Sequence, residues 1–154
     1  MTQPKEKVAY TKEQFEQIAS YFKTRNMYEC YLIHIMSGLQ GLHNRTILNM
    51  KYGHLFKSIE TLEVSSRAFL IDPKFRVIEV FYPKQIENYL DWWIAAKGKE
   101  ISTHEDKDLI FTISMNCYNR KIKRVASILG FENVNAYSAY KYYWNNIKIT
   151  KEQL

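Results

Sequence analysis

The chain has 154 residues, 46% of them hydrophobic, which is enough for one domain with a buried core and too apolar for a disordered chain. A formal net charge of +6 and a sequence pI of about 9.2 favour an anionic partner, nucleic acid or a membrane surface. There is no apolar run long enough to span a bilayer, no secretion signal, and no metal-ligand spacing around Cys30, Cys117 or the histidines; a cytoplasmic protein without metal or cofactor is expected.

Residues 1–9 are polar and read as a flexible arm, followed by a single domain over 10–150. Thr11-Lys12-Glu13-Gln14 is a capping box, and Phe15, Ile18, Ala19 and Phe22 recur at helical spacing behind it. A helix is expected over 11–24, with Asn26 breaking it. A second, over 27–39, carries Tyr28, Tyr31, Leu32, Ile35 and Met36 and ends at Gly38 and Gly41; a short third helix follows over 44–50.

The period then changes. Residues 68–71 and 75–81 read as strands joined by a turn at Asp72-Pro73-Lys74, with an extra strand near 60–64. Pro83 opens a helix with a buried stripe of Ile86, Tyr89, Leu90, Trp93 and Ile94, closed by Gly98. Residues 98–108 form a surface loop, and Leu109-Ile110-Phe111 leads into the next element. Two more helices are expected, over 115–129 ending at Gly130 and over 135–147. The fold class is α+β, mostly helical, with a small antiparallel sheet.

One stretch carries more than periodicity. Gly41-Leu42-His43-Asn44-Arg45-Thr46-Ile47-Leu48-Asn49-Met50-Lys51-Tyr52-Gly53-His54-Leu55 resembles, without a gap, the first signature of the tyrosine recombinase/phage integrase catalytic domain, written roughly G-L-R-x-x-E-L-L-x-L-x-W-x-D-I. The apolar skeleton is retained. Leu109-Ile110-Phe111 is similar to that family's L-F stretch, and the segment from Val134 to Tyr143 is similar to its second signature, T-x-H-x-L-R-H-T-F. Helices, then strands, then helices is also the family's order.

The resemblance implies a scaffold without its chemistry. Strand exchange needs a tyrosine nucleophile and fixed positive charge at the reacting phosphate. By resemblance, the first arginine falls on His43, the second signature's histidine on Tyr137, its arginine on Tyr140 and its final histidine on Lys141. For the hairpin lysine, Lys74 and Ile71 match equally well. The third signature with its tyrosine lies beyond Leu154 by resemblance, so the domain is expected to lack the C-terminal nucleophile segment. Tyrosine cannot imitate the permanent forked charge of arginine, and His43, partly charged near neutral pH, does not rebuild the clamp alone. No catalytic residue is assigned, and an enzyme is not expected.

Binding groups remain. Asn119, Arg120, Lys121, Lys123 and Arg124 form a basic stripe on the helix that, in the family, approaches the major groove, where arginine reads guanine edges and lysine holds phosphates. Arg45, Lys51, Lys74, Arg76 and Lys141 are candidates for the same concave side and His43 is a further DNA-binding candidate, with Tyr137 and Tyr140 either donating to phosphate or plugging the empty pocket. Ordinary solvated surface charge is the alternative for each cation. Residues 125–130 followed by 136–141 also imitate a helix-turn-helix, which would send 135–141 into the groove instead. The expected function is a catalytically inactive DNA-binding protein acting on double-stranded DNA, a transcriptional or recombination regulator of a phage or mobile element. The alternative is a protein-interaction module that binds and modulates a phage repressor or integrase.

Overall fold

The computed structural model describes the backbone of residues 10–152 and side chains from Tyr10 to Asn146. The expected 1–9 arm lies outside the described residues. Helix α1 (Lys12–Thr24) starts where the capping box predicts. The Thr11 hydroxyl accepts from the Gln14 N–H at 3.1 Å, and the Gln14 side chain returns to the Thr11 N–H at 3.0 Å. The helix buries Phe15, Ile18, Ala19 and Phe22, then turns out through Asn26 in the left-handed region at φ 55°.

Helix α2 (Tyr28–Gln40) is the centre of the molecule. Every residue from Cys30 to Gly38 is buried, because other helices pack on it from several sides. Burial of one such Leu, Ile or Met side chain is worth about 1.5–3 kcal/mol, so α2 anchors the fold. Gly38 does not end this helix, as its composition suggested. It lies inside it, where the Phe15 ring occupies the space a Cβ would need. The stop is Gly41, left-handed at φ 66°.

The expected 44–50 helix is shorter and is followed by another. Helix α3 (Asn44–Leu48) ends at Asn49, and α4 (Tyr52–Leu55) begins after Lys51, whose backbone bridges Leu109 in the 102–114 loop. That loop is stapled elsewhere by Glu29, whose carboxylate accepts from the backbone of Thr112 and Ile113 and from the Thr112 hydroxyl.

The strands form two separate ribbons rather than one sheet. β1 (Phe56–Ser58) pairs antiparallel with β2 (Glu63–Val64), so the extra strand foreseen near 60–64 joins β1 and not the hairpin. β3 (Arg67–Ile71) and β4 (Val77–Phe81) form the hairpin, in register from Arg67↔Phe81 to Ile71↔Val77. Its turn is wider than Asp72-Pro73-Lys74. One Asp72 oxygen accepts from the N–H groups of Lys74 and Arg76 at 2.9 and 2.8 Å, and the other from the Arg76 guanidinium at 2.8 Å. Those bonds hold Phe75 at φ 62°.

Helix α5 (Lys84–Ile101) takes Pro83 as its N-cap and runs through Gly98, because Ile101 continues the buried stripe of Ile86, Leu90 and Trp93. Helix α6 (Met115–Ile128) and helix α7 (Ser138–Glu152) complete the chain order. α7 begins later than expected because Asn135 and Ser138 first close a tight turn. No helix among the described residues is long and apolar enough to cross a membrane.

Candidate nucleic-acid interface

The left-handed turn at Gly41 delivers His43 to the N-cap of α3. Its Nδ1 accepts from the Arg45 N–H at 3.1 Å, which leaves the ring proton on Nε2. The imidazole sits beside two phenols, 5.5 Å from the Tyr137 ring and 5.6 Å from the Tyr140 ring between centroids. His43 and the Tyr137–Tyr140 pair, far apart in sequence and singled out by their motif alignment, therefore meet in space. Burial, followed by the nearby charge of Arg45, pushes the His43 pKa below its usual value. The expectation of a partly charged His43 near neutral pH is thereby corrected: the ring favours its neutral form.

Two contacts, one buried and one partly buried, hold this cluster. Ala136 has its carbonyl bonded by the Asn44 amide at 2.5 Å and its N–H bonded to Asn119 Oδ1 at 3.0 Å. Asn44 thus ties α3, and Asn119 ties α6, to the segment that carries Tyr137. Asn119, predicted as part of the basic stripe, has its carbonyl oxygen engaged here.

Behind the cluster, α7 supplies residues that motif reading passed over. Tyr140 meets Trp144 edge-on at 6.2 Å, and the Trp144 indole N–H donates to the Gly41 carbonyl at 3.2 Å. The Tyr143 ring covers the Gly41 Cα so closely that no Cβ fits. The spacing of residues 140, 143 and 144 was the available signal, a helical i, i+3, i+4 aromatic stripe.

The cations fall into two groups. Arg45 on α3 faces the hairpin turn across a cleft of about 300 Å³ that Thr46, Asn49, Ile71, Asp72 and Phe75 also line. The turn carries Lys74, exposed, and Arg76, paired with Asp72. The second group is on α6. Tyr118, Ile122, Val125 and Ala126 are buried, and the helical period places Arg120, Lys123 and Arg124 on the opposite, exposed side. No carboxylate among the described residues pairs with these three. Lys121 lies at the edge of the stripe and lines a different cavity of about 360 Å³ with Glu29, Lys97 and Glu100. Lys141 is exposed on the first turns of α7.

No hydrogen bond, ion pair or ring contact among the described residues joins the α6 cations to the His43 cluster. The two groups are related through the packing of α3 on α6. The helix-turn-helix alternative fares less well: Ala136 and Ala139 are buried and Tyr137 and Tyr140 turn toward His43, so 135–141 offers little free helix face.

No protein-family model matches the chain, and no curated protein matches it. Among solved structures, the crystal structure of XerA recombinase superposes with a TM-score of 0.66 at 13% sequence identity, covering 92% of this chain and 50% of that one. The fold is tyrosine recombinase-like. This recombinase-like chain spans about half the length of that structure, and at such identity the likeness speaks for the fold alone.

Proposed function

We propose that this recombinase-like domain binds double-stranded DNA and does not cut it, serving as a regulator for a phage or other mobile element. One observation carries the reading. The α6 face opposite the core is lined by Arg120, Lys123 and Arg124, exposed and without acidic partners among the described residues, on a recombinase-like fold. Such a face supplies phosphate contacts directly and leaves arginine forks for base edges. Arg45 and Lys74 would extend the footprint. Cleavage is disfavoured by chemistry: phosphoryl transfer needs preorganised positive charge, and by resemblance the two arginine positions hold a neutral-favouring His43 and Tyr140 and a histidine position holds Tyr137, so that Lys141 and the hairpin's Lys74 alone do not rebuild the paired-arginine clamp. Tyr137 and Tyr140 act mainly as a plug around His43.

A domain with few phosphate contacts is expected to bind in the non-specific range, about 10⁻⁴–10⁻⁶ M at physiological salt. Titration at two or more salt concentrations tests the reading. Arg120→Ala with Arg124→Ala should weaken binding and reduce the slope of log K against log salt by about 2. Binding unchanged by that double substitution removes α6 as the interface, and no binding up to about 10⁻⁴ M protein at low salt removes the DNA reading. A second reading, a protein-interaction module, is favoured by a different observation, the apolar outer face of the hairpin.

A further inference from the structure

Phe75 sits at the hairpin tip in a place that the packing of the domain does not account for. The Phe75 N–H donates to the Asp72 carbonyl and the Asp72 N–H donates to the Arg76 carbonyl, each at 2.9 Å. Between these bonds Phe75 stands at φ 62°. Glycine is the usual occupant of such a left-handed hairpin position, because it has no Cβ to strain. A bulky side chain there is an outlier. Leu62 shares the left-handed region at φ 58°, but it is half-buried and packs against the core. Phe75 gains no such packing, being 90% exposed. Strain of this kind gathers where a residue meets a partner. The outward residues of the strands, Phe69, Ile71, Val77 and Phe81, form the stem behind it.

We infer that Phe75 is a wedge that enters between two base pairs of double-stranded DNA, unstacks them and kinks the duplex. This rests on the DNA-binding reading and adds to it a deformation of the DNA. Three observations select stacked bases as the occupant. First, the ring is flanked by cations. Lys74 has no carboxylate partner among the described residues, and the Arg76 side chain is 69% exposed. Phosphates lie on both sides of a base step, so an apolar ring between two cations matches that step. The carboxylate at the turn, Asp72, is only 11% exposed and accepts three hydrogen bonds, so little of its charge faces outward. Second, Arg45 faces the turn across the cleft of about 300 Å³, which adds a third cation on the tip's other flank. Third, the tip is the narrow end of a two-stranded ribbon, and such a ribbon fits a DNA groove where a broad protein surface does not. Stacking of the ring on a base offsets the unstacking it causes. Pyrimidine–purine steps such as TA deform most easily, so a wedge confers sequence preference without a hydrogen bond to any base.

The test is energy transfer between the labelled ends of a duplex of about 20 base pairs with a central TA step, saturated with the full chain at low salt. The ends should approach as expected for a kink of about 20–90°. The same duplex with a central T·T mismatch, already easier to unstack, should bind at least about threefold tighter. Phe75→Gly removes the ring and the backbone strain together. Its urea midpoint should hold or rise, while the bound duplex straightens, affinity falls about fivefold or more and the mismatch preference disappears. Phe75→Trp should keep the kink. A straight duplex on the unaltered chain, or a kink and mismatch preference that survive Phe75→Gly, overturns the wedge and leaves the DNA-binding reading standing. A urea midpoint lowered by Phe75→Gly overturns it as well, by showing that the ring stabilises the domain itself. No binding by the unaltered chain at about 10⁻⁴ M removes the DNA-binding reading, and the wedge with it.

Discussion

The imidazole of His43 and the phenol of Tyr140 meet edge-on, 5.6 Å between ring centroids, although 96 positions separate them in the chain. An aromatic pair of this geometry adds about 0.5–1.5 kcal/mol beyond its buried area. Tyr140→Phe should therefore leave urea stability nearly unchanged, and Tyr140→Ala should lower it by more than the pair alone accounts for. Tyr140→Arg, which places a permanent cation beside His43, should tighten DNA binding without producing covalent protein–DNA adducts on a denaturing gel. An adduct would refute the non-cleaving reading.

The depressed pKa of His43 has a pH signature. A histidine pushed below its usual 6.5 is already neutral at pH 7, so lowering the pH from 8 to 7 adds no charge there. DNA affinity at constant salt should change less than about twofold over that interval. A steep rise toward pH 7 would mean that His43 or another group gains a proton on binding.

His34 controls stability instead. It is fully buried, stacked on Phe15 at 4.3 Å, with Nε2 3.1 Å from the Phe15 carbonyl and Nδ1 without a partner. Burial pushes its pKa from 6.5 down to about 4. The fold thus favours the neutral ring, and the native state binds fewer protons than the unfolded chain between those values. Its contribution is complete above pH 6.5, declines as the pH falls from 6.5 toward 4, and declines no further below that. The full effect is about 3 kcal/mol. Urea midpoints between pH 7 and 4 should show the decline, and His34→Gln should flatten it while costing stability at pH 7.

Gly41→Ala combines two penalties, a left-handed φ of 66° and the Tyr143 ring where the Cβ would go. The backbone penalty alone is about 1–2 kcal/mol. The variant should lose at least that in urea unfolding, with indole fluorescence shifting as Trp144 loses the Gly41 carbonyl. Gly130→Ala is the control, since its φ of 79° is also left-handed but nothing lies within 4 Å. Equal losses at the two sites would show that the Tyr143 contact is immaterial.

Asn44→Ala should destabilise by about 1–3 kcal/mol, because the Ala136 carbonyl loses a buried donor. The same substitution should loosen Tyr137 and Tyr140 from His43, visible as faster hydrogen exchange over the 134–140 backbone. Stability loss without faster exchange there would limit Asn44 to a local role.

Much of the fold was legible because its signals are local. The Thr11–Gln14 box, the Phe15–Phe22 stripe and the apolar run 68–71 ahead of the Asp72-Pro73-Lys74 turn each fix an element from adjacent residues. Errors arose where a distant partner decides. Gly38 reads as a stop until Phe15 is seen to require its missing side chain. Gly98 reads the same way until Ile101 is found buried beyond it. The split of 44–50 depends on the Lys51–Leu109 bridge, between residues 58 positions apart. For the site, motif alignment placed His43, Tyr137 and Tyr140 together correctly but could not supply a pKa. Asn119 looked like one more polar residue on a basic stripe, and only the position of the Ala136 N–H reveals its engagement. The apolar hairpin face was present in the letters, since Phe69, Ile71, Val77 and Phe81 share one parity; it stayed hidden because a strand with apolar residues of both parities also reads as fully buried.

The hairpin turn carries a last consequence. The Asp72 carboxylate accepts three hydrogen bonds, two from the backbone N–H groups of Lys74 and Arg76 and one from the Arg76 guanidinium; they fix the turn before anything arrives and hold Phe75 in a left-handed backbone conformation that residues with side chains rarely adopt. Ordering a flexible tip on contact would cost about 1–2 kcal/mol for each residue whose backbone had to be fixed. A tip frozen in advance avoids that loss and cannot adapt, so whatever meets Lys74, Phe75 and Arg76 must match their arrangement as it stands. Selection there works by shape, through rejection of partners that do not fit.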